Sequence, residues 1–241
     1  MKERSADNIR FARNIKGLVV IDADIFDLIV KMMVEPEYKP IHQYNFKVER
    51  FKPDAYIKEL KLAFEFDGDH HYDFIRKMIR DDRKMKFYRE NNIKSIHYPY
   101  YLNPTKDVIK HIFGTVAENI IGINFYSDEK YDMMLKQCFK VDDEKDLLGC
   151  GFHKSDFTPA TWQKRGVDRF IREVYTYPES VRSQIRHSLN LYLKDVEYNG
   201  DKRKWLVLPD FPHEGFEKFM SEETKKEHLN HIFLRQPEVV K

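Results

Sequence analysis

The chain has 241 residues, 41% hydrophobic and 14% aromatic, which is enough apolar material to bury a sizeable core and too much for a disordered chain. Its 42 Lys and Arg nearly balance 40 Asp and Glu, so a charged partner has to be argued from local patches rather than from net charge. Cys138 and Cys150 are too few for a disulfide framework, and together with His153 they lack the paired spacing of a zinc site. The charged start "MKERSADNIRFARNIK" has no signal-peptide core, and no apolar run nears the roughly 20 residues of a membrane span. A soluble, cytoplasmic protein with no membrane partner is expected.

In chain order, "ADIFDLIVKMM" (23–33) carries Ile25, Phe26, Ile29, Val30 and Met33 at helical spacing, and the two prolines of "EPEYKP" end it. From residue 41 the pattern turns to alternation and aromatic enrichment, the signature of strands. In "KLAFEFD" (61–67), Leu62, Phe64 and Phe66 share one face and Ala63, Glu65 and Asp67 the other. Residues 74–91 predict a helix with Ile75, Met78, Ile79, Met85 and Tyr88 on its stripe, ending at Asn91–Asn92. "IKSIHYPYY" (93–101) predicts another strand. Residues 104–123 predict a helix with Val108, Ile109, Ile112, Phe113 and Val116 inward. This order implies an α/β fold, a mixed β-sheet flanked by helices. After a soft boundary near residue 127 the texture becomes mainly helical, with a break at Pro178 and a short strand near "KRKWLVLP". The division expected is 1–127 as a core and 128–241 as an accessory region.

The stretch "FEFDGDHHYD" (64–73) concentrates acids and histidines at the end of a strand. Glu65 and Asp67 stand together on one face. Upstream, Asp54 lies on a short strand, and a hairpin about Glu59–Leu60 would set it opposite Glu65. Opposed like charges destabilise a sheet unless something neutralises them, and Mg²⁺ suits hard oxygen ligands held together. On spacing alone, Asp67–Gly68–Asp69 also reads as a turn, Glu65 as a solvated edge residue and His70–His71 as ordinary turn residues.

"FKPDAYIKELKLAFEFDGDHHY" resembles the heart of a PD-(D/E)XK nuclease, with Pro53–Asp54 followed by Glu65-x-Asp67. With "IRDDRKMKFYRENNIKSIHYPY" it is similar to the very-short-patch-repair-like branch, which includes phage-type homing endonucleases of the EDxHD group. The resemblance covers roughly 43–101 and extends towards 123. It implies a restriction-endonuclease-like core and metal-dependent hydrolysis of DNA phosphodiester bonds with Mg²⁺ or Mn²⁺. Carried over by position, Asp54 and Glu65 become metal ligands. Asp67, grouped with them as a catalytic and metal-binding acid, stands where the superfamily usually has Lys. His71 takes the place of the histidine on which that branch relies. Asp82, or its neighbour Asp81, matches the acid that orients this histidine, and Asp27 or Asp24 matches an acid from the first helix. Homing, restriction, mismatch-repair and recombination roles all suit such a core, with homing or restriction favoured by the small chain. A non-cleaving DNA-binding protein on a nuclease scaffold is the rival reading, because of the missing Lys.

The partner implied is double-stranded DNA, and a homodimer is compatible with it. Residues 76–94 hold eight Lys/Arg against three acids, and Arg76, Lys77, Arg80, Arg83, Lys84 and Lys86 are candidate phosphate contacts. A solvated helix face is the plainer explanation of the same run. Residues 164–204 hold ten Lys/Arg against six acids, with interleaved aromatics, and Arg182, Gln184 and Arg186 are candidates for base edges. An amphipathic helical domain would look the same.

Overall fold

A computed structural model of the chain describes residues 21–42, 51–147 and 164–185. The first helix, α1 (Ala23–Val34), is capped by Asp22, whose carboxylate accepts from the Ile25 amide at 2.9 Å. The strands are β1 (Ile41–His42), β2 (Ala55–Ile57), β3 (Leu62–Asp67) and β4 (Lys94–Pro99). They form one mixed sheet in the order β1-β2-β3-β4, with the first two pairings antiparallel and the last parallel. The α/β character and the helix-flanked mixed sheet expected from the sequence are therefore present.

Between β2 and β3 the chain turns over residues 58–61, where the Lys61 amide donates to the Lys58 carbonyl at 3.2 Å and Lys61 adopts φ +47°. The ladder pairs Ala55 with Phe64 and Ile57 with Leu62. This is the register assumed for the hairpin, and it sets Asp54, one residue before β2, against Glu65. The anchoring is direct: the Asp54 amide donates to the Phe64 carbonyl at 3.1 Å.

A parallel neighbour for β3 requires a crossover. The chain makes it through α2 (His70–Asp73) and α3 (Ile75–Glu90). The crossover helix stops where expected, at Asn91, and Asn92 takes the left-handed conformation at φ +54°. Helix α4 runs from Lys106–Ile109 through a π-helical Lys110–Val116 into Ala117–Ile121 and ends on Gly122 at φ +73°. Next come α5 (Asp128–Met134, continuing π-helically through Leu135–Phe139) and α6 (Lys164–Thr176). A helical segment from residue 179 follows the break at Pro178.

Strand β3 is covered on both faces. On one side Leu62 and Phe64 pack with α1 and α4, where the Phe64 and Phe113 rings stack at 5.7 Å. On the other, Ala63 packs with Tyr56, Phe87, Tyr88 and Ile93 beneath α3. The stripe predicted for α3 is only partly inward. Met78 and Tyr88 are buried, but Ile75 and Ile79 are 50% and 37% exposed, because they fall around the helix from the face that meets the sheet. On α4, Val108, Ile109, Ile112 and Phe113 are buried as expected, while Val116 is only partly so.

The core beneath α1 and α4 continues past residue 127 through Tyr131, Met134 and Phe139 to Phe170, Val174 and Val181. Cys138 belongs to it, and burial pushes its thiol pKa up to about 12. Cys150, His153 and the strand expected near residues 202–209 lie outside the described residues. No helix of the described residues is long and apolar enough to cross a membrane.

Candidate functional site

Because β3 is buried on both faces, its alternation carries Glu65 and Asp67 into the interior, where they are 5% and 3% exposed. A buried carboxylate is costly unless cations or donors meet it. The partners come from α3, β4 and α6. On α3, Asp81, Lys84 and Tyr88 stand at i, i+3 and i+7, one face of a helix, and that face looks onto the acidic side of the sheet.

Around Glu65, Lys84 Nζ forms an ion pair with Oε2 and the Tyr88 hydroxyl donates to Oε1 at 2.6 Å. Burial still pushes the Glu65 pKa up, against the pull of Lys84 and His97. Asp54 is half-buried beside it, and its Oδ2 accepts from the Phe66 amide at 2.7 Å. Burial first, and then the Glu65 charge, raise the Asp54 pKa to about 7, with Asp27 adding to the effect. Asp27 is buried on α1 within electrostatic reach of this pair, whereas Asp24 points to solvent. Asp54, Glu65 and Asp27, three of the acids anticipated from the sequence, thus lie within electrostatic reach of one another.

Asp67 has different company. Its Oδ2 accepts from Arg169 Nη2 at 2.6 Å and lies 2.9 Å from His97 Nδ1. Burial favours the neutral acid, but the Arg169 cation and then His97 outweigh it and hold the carboxyl well below the usual carboxylate range. Burial likewise lowers the His97 pKa, and the Asp67 charge more than reverses it, so the net shift is upward. The parallel register pairs His97 with Glu65, so β4 delivers this histidine to the acidic face.

After the Gly68–Asp69 turn, the His71 amide donates to the Gly68 carbonyl at 3.0 Å, folding the chain back. His71 Nδ1 then lies 2.5 Å from Asp81 Oδ2 and 3.8 Å from Asp67 Oδ1. Asp81, not Asp82, is therefore the acid at His71. One residue further is about 100° around the helix, and Asp82 sits 63% exposed in an ion pair with Arg165. His70, by contrast, is exposed.

The candidate DNA contacts divide as well. Arg76, Lys77, Arg80, Arg83 and Lys86 are exposed on α3. Lys84 is not with them; it is turned inward to Glu65 and to the Lys52 carbonyl. Arg182 pairs with Glu179 at 3.1 Å, and Gln184 accepts from the Thr105 hydroxyl at 2.5 Å, so it is turned onto the start of α4 rather than held out for a base edge. Arg186 lies outside the described residues.

Five members of the site were not assigned to it from the sequence: Asp81 (named only as an alternative), Lys84, Tyr88, His97 and Arg169. Alternation in "IKSIHYPY" offered a signal for His97, since residues 95 and 97 share a face opposite Ile96 and Tyr98. Arg169 carried none; it comes from 102 residues beyond Asp67.

Among the described residues no three His, Cys, Asp or Glu side chains converge as a metal-binding group. Asp54 and Glu65 nevertheless fit a divalent cation chemically, as hard oxygen donors whose mutual repulsion raises the Asp54 pKa. Asp67 fits less well as a third ligand, because Arg169 and His97 both sit on its Oδ2, whereas Lys84 pairs with one oxygen of Glu65. Beside it opens a cleft of about 650 Å³ whose walls include His97, Asp81, Arg165, Arg169, Arg172 and Tyr177. Comparison of the chain with protein-family models, with curated proteins and with solved structures finds no match.

Proposed function

We propose that the chain is a metal-dependent DNA endonuclease with a restriction-endonuclease-like core, of homing or restriction type. The observation that carries this reading is Asp54, one residue before β2, standing within electrostatic reach of Glu65 on β3, with Lys84 paired to Glu65. Two acids and a lysine are the set the resemblance calls for. The sequence has Asp67 where that lysine is expected, and α3 supplies an ammonium to the same carboxylate pair from elsewhere in the fold.

Asp54 and Glu65 would hold Mg²⁺ or Mn²⁺, which supplies Lewis-acid stabilisation of charge on phosphate oxygens. The protein's own groups do the rest. His71 turns Nδ1 to Asp81, which leaves Nε2 as the ring nitrogen that would take a proton from an attacking water. Lys84 offers positive charge beside Glu65, where the negative charge of the pentavalent phosphate would otherwise be repelled. Arg76, Lys77, Arg80, Arg83 and Lys86 form an exposed basic run on α3 that would engage the phosphates of double-stranded DNA.

The test is plasmid cleavage with Mg²⁺ or Mn²⁺, using Asp54→Ala as control. Metal-dependent cutting abolished by the substitution supports the enzyme. Salt-sensitive DNA binding with no cutting under any divalent ion sinks it and leaves the non-cleaving DNA-binding protein.

A further inference from the structure

We infer that Arg169 is a positioning residue of this site, supplied by α6, far along the chain from the strands that carry the acids. The inference rests on reading the site as a nuclease centre. The two histidines each lean on a carboxylate, His71 on Asp81 and His97 on Asp67. One guanidinium spans both carboxylates: Arg169 Nη2 donates to Asp67 Oδ2 at 2.6 Å and Nη1 to Asp81 Oδ2 at 3.2 Å. A planar fork with fixed donor directions can lock two acids at one spacing, which a lysine's single ammonium cannot do.

The arginine is itself held on two more sides. Its Nε donates to Glu173 Oε1 at 2.7 Å, and its guanidinium lies 4.9 Å from the centre of the Tyr72 ring. Glu173 is anchored in turn by the hydroxyls of Tyr72 and Tyr101 at 2.6 and 2.8 Å. Tyr72 neighbours His71 in sequence, so the short helix that carries the histidine also carries the surface on which Arg169 rests.

The approach of α6 is built for this. A Cβ on Gly166 would sit 1.8 Å from the Tyr72 carbonyl oxygen, a backbone atom that cannot yield. Only glycine lets the helix close on α2, and Arg169 stands one turn further along the same helix.

The test compares wild type, Arg169→Lys and Arg169→Ala in steady-state DNA cleavage, thermal unfolding and NMR of the histidine rings. Both variants are expected to lose about ten- to a hundred-fold in kcat, the range typical of residues that orient a site from behind, with KM nearly unchanged. The ring-nitrogen signals of both His71 and His97 are expected to shift. The lysine, which keeps the charge, is not expected to rescue. A rise in KM at constant kcat would make Arg169 a phosphate contact and overturn the inference. So would a fall in Tm with kinetics and ring signals unmoved, or full rescue by lysine. If the wild type does not cut DNA, the nuclease reading fails instead, and the ring signals alone decide whether Arg169 orients the histidines. Gly166→Ala, which keeps the arginine but pushes its helix away from Tyr72, is expected to move the same signals; unchanged spectra there would refute the role assigned to the helix approach.

Discussion

Asp54, one residue before β2, stands beside Glu65 of β3, and the charge of Glu65 helps to raise the Asp54 pKa to about 7. The pair is a local instability that the fold retains. Burial removes the water that would screen it, and Lys84 relieves only one partner directly.

Its first consequence is a pH dependence of stability. The folded pKa of Asp54 lies above the ordinary value of 3.8, so the folded state binds the proton more tightly than the unfolded one. The stabilisation is complete below pH 4 and is lost as pH rises towards about 7. For this half-buried carboxyl, allowing for solvent screening, the loss is about 2 kcal/mol. Asp54→Asn should abolish that component, so urea unfolding at pH 5 and pH 8 should differ less in the variant than in the wild type.

Divalent ions should act on the same pair. At neutral pH, Mg²⁺ or Mn²⁺ at ten times its Kd should stabilise the wild type by about 1.4 kcal/mol. Asp54→Asn should lose this response and Asp67→Asn should keep it, because Asp67 is already neutralised by Arg169 and His97. Thermal unfolding with and without the ion reads this out.

Lys84→Met strands the buried Glu65 with only Tyr88 as a donor. A loss of about 3 kcal/mol is expected. Glu65→Gln in the same chain should recover a large part of it, so denaturant unfolding of the two single variants and the double variant should show strong coupling. Additive losses would mean that the ion pair contributes nothing.

Asp81 and Asp82 are neighbours with opposite expected behaviour. Asp81→Asn removes the acid at His71 and should lower the cleavage rate by about a hundred-fold, at the low end of what general-base catalysis contributes. Asp82→Asn removes an exposed pair with Arg165 and should leave the rate within about two-fold, since exposed pairs contribute about 0–1 kcal/mol. Single-turnover rates on a cleavable duplex distinguish the two.

On the outer face of α3, each of Arg76, Lys77, Arg80, Arg83 and Lys86 that contacts a phosphate should contribute about 0.9 to the slope of log K against log salt. Replacing Arg76 and Arg80 together should lower that slope by nearly two. Lys84→Met should leave it unchanged, because Lys84 faces Glu65. DNA-binding titrations from low to moderate salt measure both.

Much of the site's first half was legible in the chain itself. A strand has a period of two, so Glu65 and Asp67 share a face wherever the strand goes, and pairing Ile57 with Leu62 is enough to set Asp54 against Glu65. The end of α3 was legible too, because Asn92 takes the left-handed conformation that its own residue type favours. The face that α3 presents was not. Each residue turns the helix by about 100°, so choosing Asp81 and Lys84 over Asp82 and Ile79 depends on how α3 sits against the sheet, and the apolar stripe was too weak to specify it. Arg169 was still less accessible, since it meets Asp67 across 102 residues through the close approach of Gly166 to Tyr72. The sequence alone determined which carboxylates share the strand face. Only the tertiary structure decided which cations meet them, because strand periodicity is a local property of the chain, whereas a helix's rotation against a sheet and a contact between distant segments are set by packing.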